Sequence, residues 1–199
     1  MPHIKSLAAA LLIPLSLSAQ DPVAEDSSPF HGGQWAMQFG GGVDLFSLGV
    51  LKFTSPRGAW LLDLSTDASF LDAKETDQVG TTTSADRQFI GVSARLGRRF
   101  YQAPGRRVVS FQTIALEGGL NDQMIDFPGG NVRQTTTYYG LNGELGGAYM
   151  LTGGVSVGGT ASISGGRFTT KRHDPFSTLK GDGWYIDGIQ VLFALALYF

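Results

Sequence analysis

The last nine residues, Val191-Leu192-Phe193-Ala194-Leu195-Ala196-Leu197-Tyr198-Phe199, decide the fold class. Every second position, from Val191 through Phe193, Leu195 and Leu197 to Phe199, is apolar, and the positions between them carry no charge. Period two is the repeat of a β-strand. A strand that is apolar on both faces and ends in an aromatic residue is expected where one face meets lipid and the ring lies at the membrane boundary. The alternative is the central strand of a soluble β-sandwich.

Residues 1–19 predict a cleaved export signal. A short basic segment, Met1–Lys5, precedes an apolar run from Leu7 to Leu17 that is too short to span a bilayer as a helix. Ser18 and Ala19 are small residues suited to cleavage, so we expect the bond after Ala19 to be cut.

The segment after the signal has a different character. Residues 20–32 are polar, contain proline and have no periodicity. We therefore predict a flexible arm on the periplasmic side for residues 20–32 and a single barrel domain for residues 33–199.

Composition excludes several classes of protein. The chain has no Cys, which excludes disulfides, thiolate metal sites and Cys nucleophiles. A net charge of −2 gives no support for nucleic-acid binding. His3 and His31 lie in the signal and the arm, so neither a metal site nor a cofactor is expected. The 28 glycines lie within the strand-like segments, where they let a small barrel bend.

Alternating segments separated by turn residues predict an all-β chain of eight antiparallel strands in up-and-down order. The segments lie at about 35–40, 46–53, 59–67, 90–99, 108–118, 139–149, 155–164 and 184–199. Tight turns follow strands two, four and six, whereas long polar loops, at about 71–88, 119–136 and 166–183, follow strands three, five and seven. Short turns at one end and long loops at the other are typical of transmembrane β-barrels.

Two strands have an ambiguous orientation. In strand two, we expect Leu51 and Phe53 to face outward and Lys52 inward. In strand five, the apolar row from Val109 to Ala115 fits a lipid-facing side, but Glu117 then falls on the same side. A bulge, or a position of Glu117 at the water boundary, would resolve the conflict.

Aromatic residues fall at both strand ends, as expected for belts at the two membrane interfaces. At the short-turn end they are Trp35, Phe53, Trp60, Phe100, Tyr101, Phe111, Tyr149 and Phe199. At the long-loop end they are Phe46, Phe70, Phe89, Tyr138, Tyr139, Phe168, Trp184 and Tyr185.

This architecture and the terminal Phe resemble the small eight-stranded outer-membrane barrels of the OmpA/OmpX-like group. The resemblance implies a bacterial outer-membrane location and insertion by the barrel assembly machinery. The assembly signal that it implies consists of Phe193, Leu195, Leu197 and Phe199. The chain departs from the OmpX type in its short first outer loop and in its ending, Ala-Leu-Tyr-Phe rather than Gly-Tyr-Arg-Phe, so adhesin or invasin activity is not implied.

Polar residues on the inward face are expected to meet across the lumen. They include Lys52, Asp63, Asp67, Arg95, Asn142 and Glu144. An eight-stranded barrel has an interior that side chains fill, and buried charges must pair, so we expect Arg95 to pair with Glu144 or Asp63. This favours a plugged barrel; an ion-conducting path is the alternative.

The last long loop carries two further candidate sites. Its basic residues, Arg167, Lys171, Arg172 and Lys180, either contact lipopolysaccharide phosphates or keep an ordinary loop in solution. The segment from His173 to Ser177 contains catalytic residue types, but Pro175 interrupts it and the His-x-Ser-Asn arrangement of lipid A deacylases is absent.

The sequence therefore predicts a non-catalytic outer-membrane protein that contributes to envelope integrity or to surface interaction through its outer loops. Outer-membrane lipids and lipopolysaccharide are its expected partners. A small channel for ions or solutes is the second hypothesis, and a lipid A-modifying enzyme is the third.

Overall fold

A computed structural model describes residues 28–42, 45–76, 82–102, 107–127, 130–175 and 177–199. It contains β1 (Trp35–Gly42), β2 (Leu45–Ser55), β3 (Gly58–Thr76), β4 (Thr82–Gln102), β5 (Val108–Phe127), β6 (Gly130–Thr152), β7 (Val155–His173) and β8 (Thr178–Tyr198). The proposed export signal and residues 20–27 of the proposed arm lie outside the described residues. Among the residues described, there is no helix with the length and hydropathy that a membrane crossing requires.

The strands form one closed barrel in which each strand pairs with its sequence neighbour and β1 pairs antiparallel with β8. Trp35 and Phe199 complete the closure, because the N–H of each donates to the carbonyl oxygen of the other at 3.0 and 2.9 Å. The predicted eight-stranded antiparallel meander is confirmed.

The two ends of the barrel differ. Tight turns at residues 56–57 and 153–154 mark one end, which we call the turn end. Three long hairpins, formed by β3–β4, β5–β6 and β7–β8, extend from the other, which we call the hairpin end. β6 alone has 23 residues, about twice the length that a tilted membrane-spanning strand needs.

Much of the sequence predicted as long polar loops is strand instead. Pairing continues from Phe70↔Gln88 to Thr76↔Thr82, and β5–β6 pairs as far as Phe127↔Gly130. These segments lack an apolar face, so period-two alternation does not identify them, although their many Thr residues favour extended backbone. The loop prediction was wrong here.

In β3, β4, β6, β7 and β8, the alternating apolar rows lie on the outside, where most of their large side chains are exposed. The expected orientation of β2 was wrong, and β5, whose orientation the sequence left ambiguous, turns its apolar row inward. Leu51, Phe53, Val109 and Phe111 are all buried inside the barrel. The period-two argument assumed that an apolar row must face lipid, whereas the lumen at the turn end has an apolar core of its own.

The residues predicted to form the two aromatic belts also divide into outward-facing and lumen-facing rings. Trp35, Trp60 and Phe100 face outward at the turn end, whereas Phe53 and Tyr101 point into the lumen. At the hairpin end, the exposed rings are Phe46, Phe70, Tyr139 and Trp184, whereas Tyr138, Phe168 and Tyr185 line the lumen.

Candidate functional site

An ion pair crosses the middle of the lumen. Arg99 on β4 is 1% exposed, and its Nη2 lies 2.7 Å from Oε1 of Glu144 on β6. The same guanidinium donates from Nη1 to Gln38 Oε1 at 2.6 Å and from Nε to Thr113 Oγ1 at 3.0 Å. Thr113 in turn donates to Glu144 Oε1 at 3.0 Å. Side chains from four strands therefore hold one charge pair in place.

A second basic group extends this network toward the hairpin end. Arg95 Nη2 lies 3.2 Å from Asp63 Oδ2, and Nη1 lies 3.4 Å from Glu144 Oε2. Nη1 also donates to Asn142 Oδ1 at 3.4 Å. Two cations and two carboxylates balance, as buried charges must if their desolvation is to be offset.

An aromatic plug lies between this network and the turn end. Phe30 is 1% exposed, and its ring centroid is 4.8 Å from those of Phe53 and Tyr101 and 5.2 Å from that of Tyr198. The Arg99 guanidinium lies 4.1 Å from the centroid of the next ring, Phe111, which joins the plug to the ion pairs. Gly146 lies under the Phe111 ring, where a methyl group would collide with it.

Phe30 comes from the segment predicted to be a flexible arm. Gly33 N–H donates to the Phe53 carbonyl at 2.8 Å, and Phe53 N–H donates to the Gln34 carbonyl at 2.8 Å. These bonds hold the chain across the turn end while Phe30 enters the lumen. The prediction of a flexible arm therefore does not apply to residues 28–32. The apolar ring of Phe30 lies next to the open end of the barrel and is buried in its lumen.

On the hairpin side of the network, the lumen contains a cavity of about 310 Å³. Its walls carry three carboxylates, Asp67, Glu117 and Asp187, with Arg95 among the lining residues. Glu117 faces this cavity because the whole row of β5 from Val109 to Glu117 points into the lumen, so neither a bulge nor a boundary position is needed.

The structure separates the predicted lumen residues into three groups. Asp63, Arg95, Asn142 and Glu144 come together in the network, whereas Asp67 lines the cavity above it. Lys52 lies on the outer surface, where its Nζ is 5.0 Å from the centroid of the Trp35 ring. Its predicted inward position was wrong because β2 has the reverse orientation.

Sequence reasoning missed the central role of Arg99. Arg99 is not among the predicted lumen residues. The signal was available, because Arg99 lies four residues after Arg95 and a strand places both side chains on one face.

Three basic residues of the last hairpin share its outer face. Lys171 and Lys180 are opposite each other in the β7–β8 register, and Arg167 lies opposite Trp184. Arg167 contacts the Trp184 ring at 5.3 Å and Asp182 at 3.4 Å. Arg172 projects to the opposite face, where it lines a second cavity of about 220 Å³. The four residues therefore do not form one cluster.

The described residues of the segment from His173 to Ser177 form hydrogen bonds with near neighbours. Ser177 donates from its N–H and its hydroxyl to Asp174 at 2.7 and 2.9 Å, while His173 Nδ1 lies 2.7 Å from Thr178 Oγ1. These contacts direct Ser177 toward Asp174 and the imidazole toward Thr178, away from the Ser–His contact that a nucleophile and its base require.

An exposed ion pair links β5 and β6 beyond the barrel body. Arg133 donates to both oxygens of Asp122 at distances from 2.8 to 3.1 Å, and Thr135 donates to Asp122 at 2.9 Å. The hydrogen bonds from Arg133 hold the pKa of the Asp122 carboxyl below its usual value.

The closed barrel, its apolar outer surface and its filled lumen define a class: the chain has the fold of small outer-membrane β-barrel proteins. It is similar to the outer membrane protein OprG of Pseudomonas aeruginosa, with a TM-score of 0.57 and 12% identity over 86% of this chain and 99% of that one. It is also similar to a major outer membrane protein of Thermus thermophilus, with a TM-score of 0.55 and 16% identity over 85% of this chain and 100% of that one. No family model and no curated protein matches the sequence.

Proposed function

We propose that this protein is a non-catalytic integral protein of the bacterial outer membrane. In this role it is a closed, non-conducting barrel that presents three long hairpins at the cell surface, for envelope integrity or surface interaction.

The outer surface has the chemistry of a membrane protein. Exposed Leu, Ile, Val and Phe side chains cover it, a pattern that a water-soluble monomer avoids. On β6, exposed Tyr139 and Tyr149 are ten positions apart with Leu141 and Leu145 exposed between them. Ten residues rise about 33 Å along a strand, which a tilt of about 40° reduces to about 25 Å, the height of a barrel's apolar band.

Rows of alternating cations and aromatic rings border this band. At the turn end, Trp35, Lys52, Trp60 and Arg98 are consecutive register partners across four strands. At the hairpin end, Arg167 lies between Tyr139 and Trp184. Rings with a polar atom prefer the interface, and long basic side chains reach from it into water, so both rows fit membrane boundaries.

The filled lumen is the main observation that supports the proposed non-conducting role. The aromatic plug and the Arg99–Glu144 pair occupy the turn-end half of the barrel, and they leave the cavity as a pocket that ends at Arg95. A barrel of eight strands filled in this way offers no wide aqueous path. The hairpins are then the part of the protein available for interaction.

The chain ends suit export and insertion. Residues 1–19 supply the signal for export, and the barrel assembly machinery is the proposed partner during insertion. Phe193, Leu195, Leu197 and Phe199, the proposed assembly signal, lie in one exposed row on β8 and the residue after it. That row is accessible to an assembly factor before lipid covers it.

Two experiments test this proposal. Cell fractionation should place the protein in the outer membrane as a form whose gel mobility changes on heating. Purified protein in a planar bilayer should give no stable conductance steps. Absence from the outer membrane would refute the location, whereas reproducible conductance would refute the sealed role.

A small channel is the second candidate, and the cavity is the observation that favours it. Its carboxylates would make such a path prefer cations, so the same bilayer recordings would detect it as cation-selective current. A lipid A-modifying enzyme is the third candidate. Overexpression should leave the lipid A mass spectrum unchanged, and a new acylation state would support the enzyme instead.

A further inference from the structure

Two lysines on the last hairpin form a like-charge pair. Lys171 and Lys180 are directly opposite in the register of β7 and β8, and both are exposed. Opposed side chains of an antiparallel pair have Cβ atoms about 5 Å apart, and like charges at that spacing repel. This opposition costs the hairpin stability, and an anion between the two ammonium groups would offset that cost.

Two carboxylates on the outer face of β5 to β8 are paired with other cations. Asp182 is contacted by Arg167 at 3.4 Å, and Asp122 is contacted by Arg133 at 2.8 Å. The ion pairs among the described residues include neither Lys171 nor Lys180. Asp126 lies on the same face four residues beyond Asp122, so the two lysines leave an excess of positive charge at their own level of the hairpin.

The position of the pair relative to the aromatic row indicates what anion it meets. Lys171 lies four residues beyond Arg167, which is opposite Tyr139 and Trp184. Four residues rise about 13 Å along the strand, or about 10 Å along the membrane normal at a tilt near 40°. Headgroups extend about 5 to 8 Å beyond the hydrocarbon on each side, and a lysine side chain can reach back several ångströms. Both ammonium groups thus reach the headgroup layer.

We propose that Lys171 and Lys180 bind one phosphate group of the outer-leaflet glycolipid, lipid A. A phosphate carries more than one negative charge and several acceptor oxygens, so a single group can accept from both ammonium groups and remove their repulsion. Trp184 and Tyr139 mark the boundary of the hydrocarbon, and the two lysines lie beyond it toward the tip of the hairpin. This inference rests on the outer-membrane location proposed above.

The hairpin supplies its own control. Arg172 is adjacent to Lys171 in sequence and carries the same charge, but it lines the cavity on the opposite face with Gln134. A substitution there removes one positive charge from the same strand without touching the proposed site.

The experiment measures binding of lipid A to the full mature protein, refolded in detergent, by native mass spectrometry. The variants are K171Q, K180Q, the double variant and R172Q. Each lysine near a charged lipid surface contributes about a fivefold change in affinity, so the double variant should bind about thirtyfold more weakly. R172Q should bind as the wild type does. A conservative variant, K171R/K180R, is also prepared, and it should retain binding because both positive charges remain.

Three results would overturn the site. They are an equal loss in R172Q, undiminished binding of lipid A from which the phosphates have been removed, and undiminished binding by the K171Q/K180Q variant. Inorganic phosphate is a separate probe: lysine-dependent binding of phosphate as tight as that of lipid A would assign the pair to a free anion and overturn the lipid assignment. Gel mobility before and after heating is measured for every variant. If the wild-type protein itself lacks a heat-modifiable form and is absent from the outer membrane, the failure lies with the proposed location.

Discussion

Arg99 and Glu144 meet at 2.7 Å across the lumen although β4 and β6, which carry them, are not neighbouring strands. The contact therefore joins parts of the barrel wall that no backbone hydrogen bonds join directly. Together with Gln38 and Thr113, the pair connects four strands through side chains alone.

Removing Arg99 should destabilise the barrel strongly. In R99M, Glu144 loses its closest cation and keeps only one cationic partner, Arg95 at 3.4 Å, beside the hydrogen bond from Thr113. Breaking a buried ion pair typically costs about 3 to 5 kcal/mol, because the remaining charge stays buried. The free energy of unfolding in lipid vesicles, measured by urea titration, should fall by that order.

The neighbouring arginine provides the control for this substitution. Arg98 points away from the lumen, donates to Thr54 Oγ1 at 2.7 Å and stacks on Trp60. R98M should cost about 1 kcal/mol or less, as for most surface contacts. Equal losses in R99M and R98M would contradict the structural role of the lumen network.

Opening the aromatic plug should create a conducting path. F30A/F53A removes two stacked rings whose centroids are 4.8 Å apart at the turn end, which leaves a gap beside the remaining rings of Tyr101 and Tyr198. We expect stable current steps in planar bilayers from this variant and none from the wild type. F100A removes an outward-facing ring from the same end of the barrel and should give no current. If the F30A/F53A variant folds correctly and still conducts no current, the ion-pair network alone is sufficient to seal the barrel.

The Asp122–Arg133 pair should make the stability of the hairpin depend on pH only in acid. The pKa of Asp122 is lowered by the hydrogen bonds from Arg133, so the pair stabilises the hairpin above the ordinary pKa of about 3.9. That contribution is lost as the pH falls through the lowered value, and it does not change near neutral pH. Carboxyl NMR titration should give a midpoint below the ordinary value, which R133Q should restore. An ordinary midpoint in the wild type would contradict the pairing.

The fold was predictable from the sequence because most strands follow one pattern, with apolar residues at every second position on the outer surface. Wherever an outward row such as Trp60, Leu62 and Leu64 faces a polar inward row, the alternation identifies both sides. The pattern does not identify segments with two polar faces, which explains why the extended ends of β5 and β6 were predicted as loops.

The site was only partly predictable. Arg95, Asp63 and Glu144 were placed inside because isolated charges on an inward face must find partners. The apolar plug was not foreseen, because burial within a protein core and exposure to lipid select the same residue types. Phe30 gave no periodic signal at all, since it precedes the first strand.

The orientation of β2 can be tested with two adjacent substitutions. Leu51 is 0% exposed within the plug region, whereas Lys52 faces outward and stacks on Trp35. L51A should cost about 2 to 5 kcal/mol of unfolding free energy, because it leaves a cavity in a packed interior. K52A should cost about 1 kcal/mol or less, because it removes only a surface cation–aromatic contact. Both variants are compared by urea titration in the same vesicles, with heat-modifiable mobility as the check on folding. A large loss in K52A with little in L51A would restore the orientation that the sequence pattern predicted and would place the lysine in the lumen.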